Sequence, residues 1–108
     1  MVNVKAKDVK DWKVWHYGVL VSLSCIFCDG MQIEIVPRTI CRNTGLKCKG
    51  EAVYENDWLE VQGDGSIHNL LVEWRDNAYR ACENENISYN IHNVLANKTC
   101  KIAGNLYD

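Results

Sequence analysis

The stretch Ser66–Cys82, SIHNLLVEWRDNAYRAC, decides the fold class of this chain. Read with a period of 3.6, Ile67, Leu70, Leu71, Trp74, Ala78 and Ala81 form one apolar stripe, with Ser66 or Asp64 as N-cap. Read with a period of two, IHNLLVEW and AYRACE are strands joined by a turn at Arg75-Asp76-Asn77, residue types that favour turns. Periodicity alone slightly favours the helix. The helical option makes the protein α+β, with a helix at about 66–82 packed on an antiparallel sheet; the strand option makes it mainly β.

The rest of the chain supplies strands. Trp15, Tyr17, Val19, Val21, Leu23 and Cys25 share one parity, and His16, Gly18, Ser22 and Ser24 the other, with Leu20 as the exception. This alternation predicts a strand. Asp29-Gly30 offers the pair of positive φ angles that a tight type I′ turn requires, and MQIEIV alternates again after it. A two-residue turn sets Cys28 opposite Met31 and Ile26 opposite Ile33. That places even residues before the turn on the apolar face, against the odd parity of 15–25. Either both faces are covered or a bulge around Ser22–Ser24 switches parity. PRTICRNTGLKCKGEA (37–52) is polar and turn-rich, with Asn43-Thr44-Gly45 inside it. AVYE and WLEVQ read as short strands, Gly63-Asp64-Gly65 as a turn, NISYNIH as a strand and KTCKIA as a last one.

A chain of 108 residues points to a single domain, 1–108. Such a chain buries about 65% of its unfolded surface, enough for one core. The net charge is −2 with both signs interspersed, so there is no basic stripe to follow a phosphate backbone and nucleic acid is not an expected partner. No apolar run reaches membrane-spanning length; GVLVSLSCIFC is too short. The opening MVNVKAKDVKDW lacks the apolar centre of a signal peptide, so a secreted form would have lost its signal already.

Six cysteines in a chain this small, Cys25, Cys28, Cys41, Cys48, Cys82 and Cys100, favour disulfides, an oxidising compartment and secretion. Cys25 and Cys28 lie three apart on a strand and face opposite sides, so they should reach different partners. The expected pairing is Cys82 with Cys100, leaving Cys25 and Cys28 to Cys41 or Cys48; a staple from Cys25 or Cys28 to Cys100 is the alternative. Zinc on Cys25, Cys28, Cys41 and Cys48 is disfavoured by the wide second spacing. Thioredoxin-like chemistry is disfavoured because the Cys-x-x-Cys ends a strand instead of opening a helix. No cofactor or metal is expected. Asn86 (NIS) and Asn97 (NKT) are candidate glycosylation acceptors.

Neither a nucleophile elbow nor a phosphate-binding loop is present. A ribonuclease-like hydrolase would need a histidine or glutamate pair with an arginine; His16, Glu34, Arg75 and Arg80 supply the residue types, but no spacing joins them. His68 and His92 show no metal spacing either. Trp12, Trp15, Tyr17 and Trp58 are candidates for a partner surface, since Trp and Tyr dominate binding hot spots. A wall-binding or carbohydrate-binding module would expose Trp12, Trp15 or Trp58 in a groove.

Three stretches together resemble fungal small secreted proteins of the Alternaria major-allergen type, β-barrel proteins found among plant-pathogen effectors. DWKVWHYGVLVSLSCIFCDGMQIEI (11–35) is similar to their opening strands. YENDWLEVQGDGSIHNLLVEW (54–74) is similar to their Trp, Gly-rich turn and Leu-Val strand. CENENISYNI (82–91) is similar to a strand of the allergen that opens on a cysteine. These stretches cover about half of the chain, which is shorter than the allergen and spaces its cysteines differently. The resemblance favours the strand option for 66–82. It implies a mainly β, disulfide-stapled antiparallel sandwich or barrel, secreted to the apoplast and non-enzymatic. Its implied role is that of a virulence or avirulence effector, a monomer or weak dimer that meets a host protein or receptor.

Overall fold

A computed structural model describes residues 2–108. The chain is mainly β, with eleven strands, one 3-10 turn and one short helix among those residues. They group into two compact units, Met1–Asn43 and Thr44–Asp108.

The first unit holds β1 (Val4–Lys7), β2 (Trp15–Ser22), β3 (Cys25–Cys28) and β4 (Met31–Glu34), a 3-10 turn at Pro37–Thr39, and the start of β5 (Cys41–Cys48). All pairings are antiparallel, in the order β4-β3-β2-β1-β5. Asp29 and Gly30 have φ of 51° and 79°, and Ile26 faces Ile33 while Cys28 faces Met31, as the Asp-Gly pair dictates. The parity conflict resolves through a bulge: the β2–β3 register shifts between Leu20 and Ser22. The single strand expected over 15–25 is instead a hairpin. It turns at Leu23-Ser24, where the Ser22 hydroxyl accepts from the Ser24 N–H at 3.3 Å.

Val4, Ala6, Ile26 and Ile35 form this unit's core, with Leu20, Ile33 and Ile40 against it. β1 carries lysine on its other face, and both lysines are nonetheless buried. Lys5 and Lys7 hold their ammonium groups 4.4 and 4.5 Å from the centre of the Trp15 ring, so the long stems lie under apolar cover while the charges meet a π face. Thr39 closes the unit: its hydroxyl accepts from the Lys7 N–H at 2.9 Å and donates to the Val36 carbonyl at 2.7 Å.

β5 carries the chain into the second unit. The turn expected at Asn43-Thr44-Gly45 is a passage within that strand, with Gly45 at φ 80°. The reversal comes at Lys49-Gly50, with φ of 50° and 84°, and leads to β6 (Glu51–Tyr54). Beyond it lies a five-stranded antiparallel sheet in the order β10-β9-β8-β7-β11. It is built from β7 (Asp57–Gly63), β8 (Ser66–Arg75), β9 (Ala78–Cys82), β10 (Ser88–Asn90) and β11 (Lys101–Asn105). Neither sheet order closes on itself among the described residues, so the architecture is sheet-based without a closed barrel.

Residues 66–82 are therefore two strands and not a helix. Asp76 and Asn77 sit at φ 53° and 63°, residue types that tolerate the left-handed region, and Trp74 faces Tyr79 across the hairpin with rings 4.8 Å apart, edge to face. The expected strand NISYNIH is cut short. After β10 the Asn90 side chain accepts from the N–H groups of His92 and Asn93 at 2.9 and 3.4 Å and caps α1 (Ile91–Leu95). Ile91 and Val94 thereby turn inward. They join Cys48, Val53, Leu59, Leu70, Val72, Ala81 and Cys100 in the unit's core.

A carboxylate is buried at the far end of this unit. Asp57 accepts from the Tyr54 N–H at 2.8 Å and from the Asn105 side-chain amide at 2.9 Å. The same amide reaches the Glu55 carbonyl at 3.2 Å, so the β6–β7 turn and the end of β11 share one polar knot.

Candidate interaction surface

In the first unit the inner row of β2 is even-numbered: Gly18 is buried and Leu20 packs on the core. The odd row, which carries the apolar pattern in the sequence, points the other way. Tyr17 is 44% exposed, Val19 40% and Val21 52%, and Phe27, directly opposite Val19 on β3, is 46% exposed. Leu23 at the hairpin tip reaches 74% and Met31, beside the next turn, 65%. An antiparallel sheet with one wet face normally turns its apolar parity inward. Here β2 turns it outward, and Tyr17, Val19 and Phe27 form a contiguous patch.

The four aromatic candidates separate. Tyr17 belongs to this patch. Trp15 is half-buried between its two lysines. Trp12, exposed on the β1–β2 loop, stacks under the Arg38 guanidinium at 4.7 Å from the ring centre. Trp58 lies in the second unit, on β7, opposite Leu71 of β8 and Gly104 of β11. Phe27 and Val19 were not among the sequence candidates; the two-residue register at Asp29-Gly30, followed back through the bulge, is the signal that points to them.

The titratable candidates are engaged locally. His16 Nε2 lies 2.7 Å from Asp8 Oδ2, a histidine–carboxylate contact. The other Asp8 oxygen already accepts from the N–H groups of Lys10 and Asp11 at 2.7 and 3.2 Å. The His16 contact, then the Lys10 N–H, hold the Asp8 carboxyl below its ordinary value of 3.8. A cleft of about 220 Å³ beside it is lined by Asp8, Lys10, Gln32 and Glu34. Arg75 donates to Glu73 at 2.6 Å and to the Asn84 and Glu85 carbonyls, and Arg80 donates to the Ser88 hydroxyl at 2.7 Å. His68 lies 3.5 Å from Glu83 on the rim of an apolar cleft of about 240 Å³ over Val61, Leu70 and Val94. His92 is exposed in the first turn of α1. Asn86 and Asn97 are both exposed, and Asn97 accepts from the Thr99 N–H and hydroxyl at 2.9 and 2.7 Å.

All six cysteines are free thiols in this structure. The expected Cys82–Cys100 contact is not made in this structure: Cys100 lies against Cys48, with sulfurs 3.9 Å apart, while the Cys82 thiol points to the Arg80 carbonyl. The alternative partners of Cys25 and Cys28 are not realised either. Cys25 contacts the side-chain oxygen of Gln32, Cys28 the Asp29 carboxylate and Cys41 the Thr39 carbonyl. Among the described residues no group of three or more His, Cys, Asp or Glu is placed to hold a metal.

Against protein-family models, curated proteins and solved structures, the chain has no match.

Proposed function

We propose that this protein is a secreted interaction protein, of the kind fungal effectors are, and that it engages a plant host protein through the outer face of β2 and β3. The observation that supports this reading is the outward apolar parity of β2: Tyr17, Val19 and Phe27 stand exposed side by side on a rigid sheet. Rigid aromatic and β-branched groups on a sheet contribute contact area while losing little conformational entropy on binding. The buried ammonium groups of Lys5 and Lys7 anchor Trp15 beside Tyr17 and stiffen this part of the sheet. On a secretory route Asn86 and Asn97, both exposed, are the glycan acceptors, and they belong to the other unit.

The test compares wild type with the double substitution Val19→Thr and Phe27→Ser, both at exposed positions. Each protein carries a photo-crosslinking group at Leu23 and is infiltrated into plant apoplast. Truncating a hot-spot aromatic costs about 2 kcal/mol or more, so capture should fall at least tenfold while the melting temperature stays put. Equal capture of the same partner by the double variant would refute a role for this face.

A further inference from the structure

Cys48 and Cys100 are separated by 52 positions in sequence, yet their sulfurs are in van der Waals contact at 3.9 Å. The Cys48 thiol also donates toward the Cys100 carbonyl at 3.4 Å, so the Cys48 side chain already lies against the Cys100 backbone. Both residues are almost fully enclosed, at 3% and 0% exposure, in the core of the second unit. Cys48 ends β5 just before the Lys49-Gly50 reversal, and Cys100 precedes β11, which forms one edge of the five-stranded sheet.

We propose that Cys48 and Cys100 form a disulfide when the protein folds in an oxidising compartment. This would tie the β5–β6 hairpin to the start of the edge strand β11. A disulfide bond is about 2.05 Å long, so the sulfurs must approach by roughly 1.9 Å. The reaction takes two thiols to one S–S bond. Two protons and two electrons pass to a disulfide oxidant such as oxidised glutathione, which departs as two thiols. One cysteine first displaces a glutathione thiol to give a mixed disulfide, and the other then displaces the second.

Enclosure sets when this happens. Burial first, and then the neighbouring Cys48, push the Cys100 thiol up to about 12, so Cys100 holds almost no thiolate at neutral pH, and the enclosure of both residues keeps an oxidant out of the folded core. Oxidation therefore accompanies folding, before the core closes. The product fastens an edge strand whose loss would expose unpaired backbone groups.

The full chain is refolded in a reduced and oxidised glutathione mixture, alkylated, and digested without reduction for peptide mass mapping. The expected result is a Cys48 peptide joined to a Cys100 peptide, lighter by two hydrogens than the separate pair. Alkylation of both residues, or their attachment to Cys25, Cys28, Cys41 or Cys82, would overturn the proposal. Oxidation should also raise the melting temperature by about 10–15 °C in wild type and in Cys82→Ser, but not in Cys48→Ser. If Cys48→Ser does not fold, the peptide map of the wild type decides alone.

Discussion

Gly18 sits in the middle of β2, on its inner face, and its backbone is not in the left-handed region. At such a site glycine to alanine ordinarily stabilises a protein by about 0.4–1 kcal/mol, because the unfolded chain loses freedom. Packing predicts the opposite sign here. A Cβ on residue 18 would intrude on the carbonyl oxygen of Phe27, with the carbonyl carbon at 3.0 Å and the Cys28 Cα at 3.4 Å. The obstacle is backbone, so no rotamer change relieves it; β3 must move away from β2. Overpacking of this kind costs about 1–3 kcal/mol, and an immovable neighbour places Gly18→Ala at the upper end. At about 4 °C per kcal/mol for a chain of this length, the melting temperature should fall by roughly 8–12 °C. Thermal melting followed by circular dichroism measures the shift, and hydrogen exchange should show faster exchange at Phe27 and Cys28. An unchanged or higher melting temperature would refute the close approach of the two strands, and with it the geometry that sets Val19 beside Phe27.

Asp57→Asn keeps the shape of the buried knot but turns one acceptor into a donor facing either the Tyr54 N–H or the Asn105 amide. A stability loss of about 1.5–3 kcal/mol is expected from denaturant midpoints, and a loss under 0.5 kcal/mol would mean that the carboxylate is not the acceptor. The Asp8 carboxyl, held below 3.8 chiefly by His16, should titrate by NMR below that value and move up toward it in His16→Ala. Because the folded value is the lower one, the stabilisation is present above about pH 3.8 and is lost as the pH falls through the folded value. Identical midpoints in the two proteins would show that His16 is not the cause.

Turn chemistry was the most legible part of the chain. Asp29-Gly30, Asp64-Gly65 and Asp76-Asn77 each adopt two positive φ angles, which these residue types permit at low cost. Lys49-Gly50 makes the same turn, but lysine carries no preference for that conformation, so the reversal went unseen and β5 with it. β1 was hidden for a tertiary reason: a strand with lysine on one face reads as solvated until Trp15 is folded over it. The helix α1 lay in plain sight. Asn90 followed by Ile91, Val94 and Leu95 is a cap and an apolar stripe, but the alternation of Ile87, Tyr89 and Ile91 outweighed it. The contact between Cys48 and Cys100 was not legible at all, because it depends on how β5 and β11 are placed in one core.

The outward face of β2 shows most clearly what alternation can and cannot say. A period of two establishes that a strand has two faces; it does not establish which one meets the core. In the first unit that choice is made elsewhere. Asp29-Gly30 fixes Ile26 opposite Ile33, the bulge between Leu20 and Ser22 carries that row onto Leu20, and Val4 and Ala6 of β1 complete it. Gly18 supplies no side chain to this inner row, which lets β3 approach and leaves the larger groups, Tyr17, Val19 and Phe27, to the outside. Folding alone would be served better by the reverse arrangement, since exposed apolar area gains nothing from the hydrophobic effect until something covers it. A place where the local pattern and the fold disagree is where a sequence answers to a requirement other than stability, and on this strand the requirement we propose is contact with a partner.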